Sequence, residues 1–377
     1  MKNVKFVKKA LAMVMAAAMS LSLAACGTSA GSSAAASAAS SASAPETAAP
    51  AAEAQQDSTA GGTAEAGTVY KVGIVKYVDD ASLDQIEAAI QAELDAKGQE
   101  LGVTFDYADY TKNGQADSTT LNQIASDLVA DDVDVIIPIA TPAALIMQAA
   151  TEENQIPVVF SAVSDPVSAG LVESLDAPGS NVTGTSDALN VEAFIDLMLS
   201  ANPDMKTLGL LYDQGQDSSK SAIASAKAYC QEKGIETIEK TGTTNDEVAL
   251  AADALIAAGV DAVFTPTDNT VMTAELAIYE KFVDAKIPHY AGADSFALNG
   301  AACGYGVNYV TLGTATADMV VDILVNGADP AATAVEIMSS GIAMVNTETA
   351  EAIGLDYSSF KDLCEEVKET VTQESFD

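Results

Sequence analysis

Residues 133–166 read VDVIIPIATPAALIMQAATEENQIPVVFSAVSDP, and no other stretch of the 377-residue chain restricts the fold as strongly. The run Val133 to Ile139 is rich in branched aliphatics and carries no charge after Asp134, as a strand buried on both faces of a parallel sheet requires. It stops at Ala140, Thr141 and Pro142. Proline at a first helical position gives up no hydrogen bond, so Thr141 is expected as N-cap of a helix over 143–153, with its hydroxyl at a positive helix end. A second apolar run, Ile156 to Phe160, ends in a loop holding Ser161, Ala162, Ser164 and Asp165. Open parallel sheets bind ligands beyond the carboxyl ends of their strands, so both loops are expected to face one site.

The unit recurs. VDAVFTPTDNTV starts at Val260, 127 residues after Val133, and IPHYAGADSF starts at Ile287, 131 residues after Ile156. KVGIVKY around Gly73 is matched by TLGLLYD around Gly209, an offset of 136. Three matches in one order at nearly constant offset indicate two similar lobes in tandem, and alternating strand and helix patterns make each a doubly wound parallel α/β sheet. The fold class expected is therefore α/β, two such lobes with a hinge and a ligand cleft between their strand ends.

Ahead of the lobes, Lys2, Lys5, Lys8 and Lys9 precede an apolar run, Ala10 to Leu23, which has the charge and length pattern of a secretory signal over residues 1–25. It ends in Leu23, Ala24, Ala25, Cys26 and Gly27, resembling a bacterial lipobox, so Cys26 is expected to be lipidated. Residues 26–68 are dominated by Ala, Ser, Gly, Thr and Pro, a composition that forms a tether rather than a core. The first lobe is expected over 69–188 plus about 300–328, and the second over 189–299 plus about 333–377. GSNVTGTSD, 179–187, is rich in turn formers and is read as the crossing between them. Helices are expected over 347–353 and 361–370.

Charge excludes one class of partner. All 17 basic residues are lysine, and with the four in the signal removed, 13 lysines face 54 acids, a formal charge of −41. A nucleic-acid surface needs a basic patch that this chain lacks, and contact with an anionic membrane is left to the lipid. Cys230, Cys303 and Cys364 fit no zinc spacing. The single histidine, His289, follows Pro288 at the start of a strand and is read as structural, there being no GxSxG elbow; GxGxxG and GxxxxGK[ST] are also absent. No cofactor or metal is expected, nor catalysis. A two-lobed enzyme using Asp165 and Asp294 is the rival reading, and a sensory module another.

Comparing the two copies shows opposite polarity across the cleft. Ala140, Thr141 and Pro142 correspond to Thr267, Asp268 and Asn269, and Val163 corresponds to Asp294. One wall offers hydroxyls and helix-end amides for an anion; the other offers carboxylates for a cation. A zwitterion such as an α-amino acid fits, and without arginine its carboxylate would be held by groups such as Thr141 and Ser164. Capping of the following helices is an equal alternative for Asp268 and Asp294. Tyr77, Phe160, Tyr212 and Tyr309 lie near strand ends, as stacking partners or as core.

TPAA at 141–144, IPVVFSAVSDPVSAGLV at 156–172, NVTGTSD at 181–187, DAVFTPTDNTV at 261–271 and GVNYVTLG at 306–313 together resemble the substrate-binding lipoproteins of ABC transporters, in particular the tryptophan/tyrosine-binding family. The resemblance covers about residues 70–355. It implies a type I periplasmic-binding-protein fold and an aromatic amino acid ligand; a sugar or nucleoside is the alternative to the zwitterion. It also implies a monomeric, lipid-anchored extracytoplasmic protein that delivers its ligand to a membrane permease with a cytoplasmic ATPase. Two positions depart from the family pattern. The opening loop has Asp80, Ala81, Ser82, Leu83 and Asp84 where a histidine before proline is frequent, and Asn308 stands where aspartate is usual. The candidate ligand contacts are Tyr77, Thr141, Pro142, Ala162, Ser164, Asp268, Asn269, Asp294 and Asn308.

Overall fold

The computed structural model describes residues 65–373; the expected signal, Cys26 and nearly all of the tether lie outside them. In chain order the first lobe is built from β1 (Val69–Lys76), α1 (Ala81–Leu101), β2 (Thr104–Asp106), β3 (Thr111–Asn113), α2 (Ser118–Ala130), β4 (Val135–Ile139), α3 (Thr141–Thr151), β5 (Val158–Phe160) and β6 (Val182–Ser186). The second contains α4 (Val191–Ala201), β7 (Thr207–Tyr212), α5 (Asp217–Lys233), β8 (Glu236–Thr241), α6 (Asn245–Ala258), β9 (Ala262–Thr265), α7 (Asn269–Ala285), β10 (His289–Ala291), α8 (Asp294–Leu298) and β11 (Cys303–Gly306). The chain continues as α9 (Tyr309–Leu324), β12 (Glu336–Ile337), β13 (Ile342–Asn346), α10 (Thr347–Ile353) and β14 (Glu366–Thr370).

Two sheets result. One runs β12-β6-β5-β4-β1-β2, with β3 also on β1, and every pairing in it is parallel. The other runs β14-β13-β11-β10-β9-β7-β8, parallel except where β13 meets β11. The central strands are wholly buried, as expected of β-branched runs covered by helices on both faces. This is the two-lobed α/β architecture anticipated from the repeat.

The chain crosses between lobes three times, and two crossings fall later than expected. β11 hydrogen-bonds within the second sheet, so the return comes after Gly306 rather than near residue 300. Helix α9 then lies along α1, and their contact is close enough that a Cβ on Gly313 would meet the Ile86 carbonyl oxygen at 2.6 Å. β12 pairs with β6 of the first sheet, so the final crossing comes after Ile337 rather than near 333. Three further readings are corrected. Residues 182–186, taken as a turn-rich crossing, are a fully buried strand. Residues 366–370, expected as helix, extend the second sheet beside β13; the alternation of Val367 with Glu366 and Lys368 has a strand period. Thr141 is the first helical residue of α3 rather than its cap.

His289 lies in the second core. Its Nδ1 is 2.9 Å from Glu275 Oε1 and its Nε2 2.8 Å from Thr265 Oγ1, between the rings of Phe282 and Phe296. Cys230 and Cys303 are buried and Cys364 half-buried; all three are free thiols.

Candidate functional site

The strand ends of the two lobes face each other across a closed cleft whose free space is about 10 Å³, roughly that of one water. Its most unusual backbone is on the first lobe. Ala140, between β4 and α3, has φ 79° and ψ 151°, and Ala162, beyond β5, has φ 56°. A residue with a Cβ in such conformations costs about 1–3 kcal/mol and persists where the surroundings enforce it, which happens most at binding sites. Here the turn at Ala140 starts α3 at once; no side chain caps the helix, Pro142 has no N–H, and only the amides of Thr141 and Ala143 are left without an intrahelical acceptor. Thr141 Oγ1 is buried beside them without a hydrogen-bond partner.

The second lobe repeats the arrangement. Helix α5 also lacks a side-chain cap, and near its start Ser218 Oγ is buried without a partner. Both side chains line the cleft, at 2% and 4% exposure. A buried hydroxyl left without any partner costs about 1–3 kcal/mol. Two such hydroxyls at two helix N-termini, one from each lobe, make a niche for an anion that brings its own acceptors.

Opposite in character is Asp187, just past β6. It is 4% exposed and lines the cleft. Ser164 Oγ donates to its Oδ1 at 2.9 Å, and its own backbone amide approaches the carboxylate. No lysine or histidine lines the cleft to neutralise it. Burial raises its pKa to about 6, against the opposing pull of the Ser164 bond. A carboxylate so held is one positive charge short of balance. The rest of the lining includes an apolar wall of Leu83, Met272, Ala293 and Tyr309.

The candidates named from sequence divide in two. Thr141, Ala162, Ser164 and Asn269 line the cleft. Asn269 donates to Gln216 Oε1 at 3.1 Å, and the half-buried Tyr77 of the other lobe lies near Gln216. The others serve elsewhere. Asp268 caps α7 through Thr270 and Val271, and its second oxygen accepts from the Asp213 amide and Ser219 Oγ, at 2.8 and 2.6 Å. With both oxygens occupied and no exposed surface, it acts as cap and anchor. Asp294 accepts from Ser82 Oγ at 2.5 Å and Gln85 Nε2 at 3.1 Å, both on α1 of the other lobe, so it latches the lobes together. Asn308 is exposed and caps α9 through the Thr311 amide. Pro142 is half-buried at the start of α3, outside the lining residues. Among the aromatics, Phe160 is core, Tyr212 donates to Glu239, and Tyr309 faces the cleft.

Asp187, Ser218, Ser82 and Met272 were missed. Asp187 follows β6 directly and Ser218 opens α5 after the loop beyond β7, so the strand-end rule that found Thr141 and Ser164 reaches both. The turn formers of 179–187 hide β6, and with it the place of Asp187 at a strand end.

Among the described residues no group of three or more His, Cys, Asp or Glu side chains is placed to hold a metal, and no helix is long and apolar enough to cross a membrane.

Known proteins share this architecture. A tyrosine-binding protein of Clostridioides difficile (strain R20291) is 31% identical over 286 residues, 75% of this chain and 81% of that protein. The crystal structure of an ABC domain in complex with L-Trp from Streptococcus pneumonia is 30% identical, covering 80% of this chain and 100% of that one, with a TM-score of 0.73. The ligand-free, open structure of a substrate-binding protein with adhesive properties from Clostridium difficile is 32% identical, covers 81% and 100%, and has a TM-score of 0.62. At similar identity the chain is thus nearer in shape to the liganded relative, in keeping with the Asp294 latch across its lobes. The family model of ABC transporter substrate binding proteins matches residues 71–364. Two parallel-sheet lobes closed on a cleft built for binding, together with this match over most of the length, place the chain in the ABC transporter substrate-binding protein family, whose members hold solutes rather than transform them.

Proposed function

We propose that the cleft captures an L-α-amino acid with an aromatic side chain. The carboxylate accepts from Thr141, Ser218 and the free amides of α3, the ammonium faces Asp187, and the ring lies against Leu83, Met272 and Tyr309. The observation that carries this reading is the pairing of two buried hydroxyls without a protein partner with one buried carboxylate that has no lysine or histidine beside it: each needs what the opposite end of a zwitterion supplies. Relatives that bind tyrosine and L-Trp support the aromatic side chain.

Members of this family work outside the cytoplasm, and we assign this chain the same place, anchored through a lipid on Cys26 and handing its ligand to a permease driven by a cytoplasmic ATPase. The ligand assignment is tested by calorimetry with L-tyrosine beside tyramine, which lacks the carboxylate, and 3-(4-hydroxyphenyl)propionate, which lacks the ammonium. Each analogue is expected to bind at least about tenfold more weakly, since a hydrogen bond to a charged group contributes about 1.5–3 kcal/mol. An analogue that binds as well as tyrosine overturns the corresponding half of the assignment.

A further inference from the structure

The cleft does not end at the zwitterion's polar groups. Beyond Ser164, Ser218 and Thr267, which line both spaces, it opens into a groove of about 410 Å³ walled by both lobes. Val167 and Ile337 border this groove at 42% and 51% exposure, so two of the large apolar side chains left in water lie along one channel. Asp165 is its one charged lining residue, and its Oδ1 accepts from the Ser168 amide at 3.0 Å while Oδ2 has no partner among the described residues. The apolar wall of Leu83, Met272, Ala293 and Tyr309 lines the inner cleft and not the groove. A bound amino acid would therefore point its ring inward and its α-amino and carboxyl groups toward the groove.

Resting on the amino-acid reading above, we propose that the groove is a second subsite, which takes the N-terminal residue of a dipeptide whose C-terminal residue is aromatic. The aromatic residue keeps its carboxylate at Thr141 and Ser218, and its peptide N–H donates to Asp187. The preceding residue lies along Val167 and Ile337, and its free ammonium reaches Asp165. Charge sets the direction of extension: a C-terminal extension would carry a free carboxylate into a groove with no basic lining residue and one acidic one.

Refolded, ligand-free protein is titrated by calorimetry with L-Tyr, L-Ala-L-Tyr, L-Tyr-L-Ala and N-acetyl-L-Tyr. L-Ala-L-Tyr is expected to bind within about tenfold of L-Tyr, and L-Tyr-L-Ala and N-acetyl-L-Tyr at least about tenfold more weakly than L-Ala-L-Tyr, on the worth of one charged contact. Ser225 is exposed on α5 at the groove and outside the inner cleft; Ser225→Trp should block the dipeptide and leave L-Tyr affinity unchanged, while Asp165→Asn should weaken the dipeptide alone. Binding of L-Tyr without L-Ala-L-Tyr overturns the subsite and spares the amino-acid reading, as does equal loss of both ligands in Ser225→Trp. Failure of L-Tyr itself overturns both.

Discussion

Replacing Asp187 by asparagine separates binding from folding at this site. The amide keeps the carboxylate's shape and can still accept from Ser164, but it removes the negative charge facing the ligand. Because Asp187 is 4% exposed, solvent screening is weak, and loss of a hydrogen bond to a charged group should cost about 1.5–3 kcal/mol, roughly ten- to a hundredfold in Kd. Stability should move the other way. In the ligand-free protein the carboxylate is buried with a single side-chain donor and its pKa is raised to about 6 by desolvation, so the neutral amide should leave the unfolding free energy at pH 7 unchanged or higher. Wild-type affinity for an ammonium ligand should fall as pH drops through about 6, where Asp187 takes a proton, and the variant should lose this dependence. Calorimetry at several pH values, with urea unfolding of the same samples, reads all three effects. Unchanged affinity for an aromatic amino acid in Asp187→Asn, or a flat wild-type profile between pH 7 and pH 5, would refute Asp187 as the ammonium partner.

Four further outcomes are expected. Thr141→Val, which removes an unpartnered buried hydroxyl, should raise the stability of the ligand-free protein by about 1 kcal/mol or leave it unchanged and weaken ligand binding about tenfold, by urea unfolding and calorimetry. Asp268→Asn, which spoils a carboxylate with four donors, should lower stability by about 2–4 kcal/mol with little change in affinity of the folded fraction. Asp80, Asp187 and Asp268 are all raised to about 6 by burial, above an ordinary 3.8. Between those values the folded chain holds more protons than the unfolded one, so denaturation midpoints of the ligand-free protein should rise as pH falls from about 6 to about 4; a falling midpoint would contradict their burial. Cys26→Ala should release the protein from the membrane fraction of cells, and retention as firm as wild type would remove the anchor assignment.

Much of the fold could be read because buried parallel strands leave a mark no other element makes: uncharged β-branched runs at 135–139 and 262–265, each followed by small and hydroxylated residues. Helix α10 was legible from Asn346 before it and Gly354 after it, the cap and the left-handed terminus the structure shows. Strand β14 was not, because EVKET sits at the edge of the sheet with half-exposed faces, where charge masks a period of two. The ligand contacts were partly hidden for a different reason. Asp268 and Asp187 are both aspartates just beyond strands of parallel sheets, and only three-dimensional partners distinguish them: four donors satisfy the first, whereas one hydroxyl and its own amide leave the second wanting a cation. Ala140 could not be anticipated at all, since no propensity places alanine at φ 79°; the constraint comes from the sheet and helix on either side of it.

The most direct test of the central claim is calorimetry of the lobes alone, unfolded and refolded to strip carried ligand, against all twenty amino acids with a panel of neutral sugars and nucleosides. Aromatic L-amino acids are expected to bind most tightly, with acidic amino acids excluded by the lone Asp187 carboxylate and the absence of any lysine on the cleft. Tight binding of a neutral sugar or a nucleoside, with no response to tryptophan, tyrosine or phenylalanine, would contradict the zwitterion site.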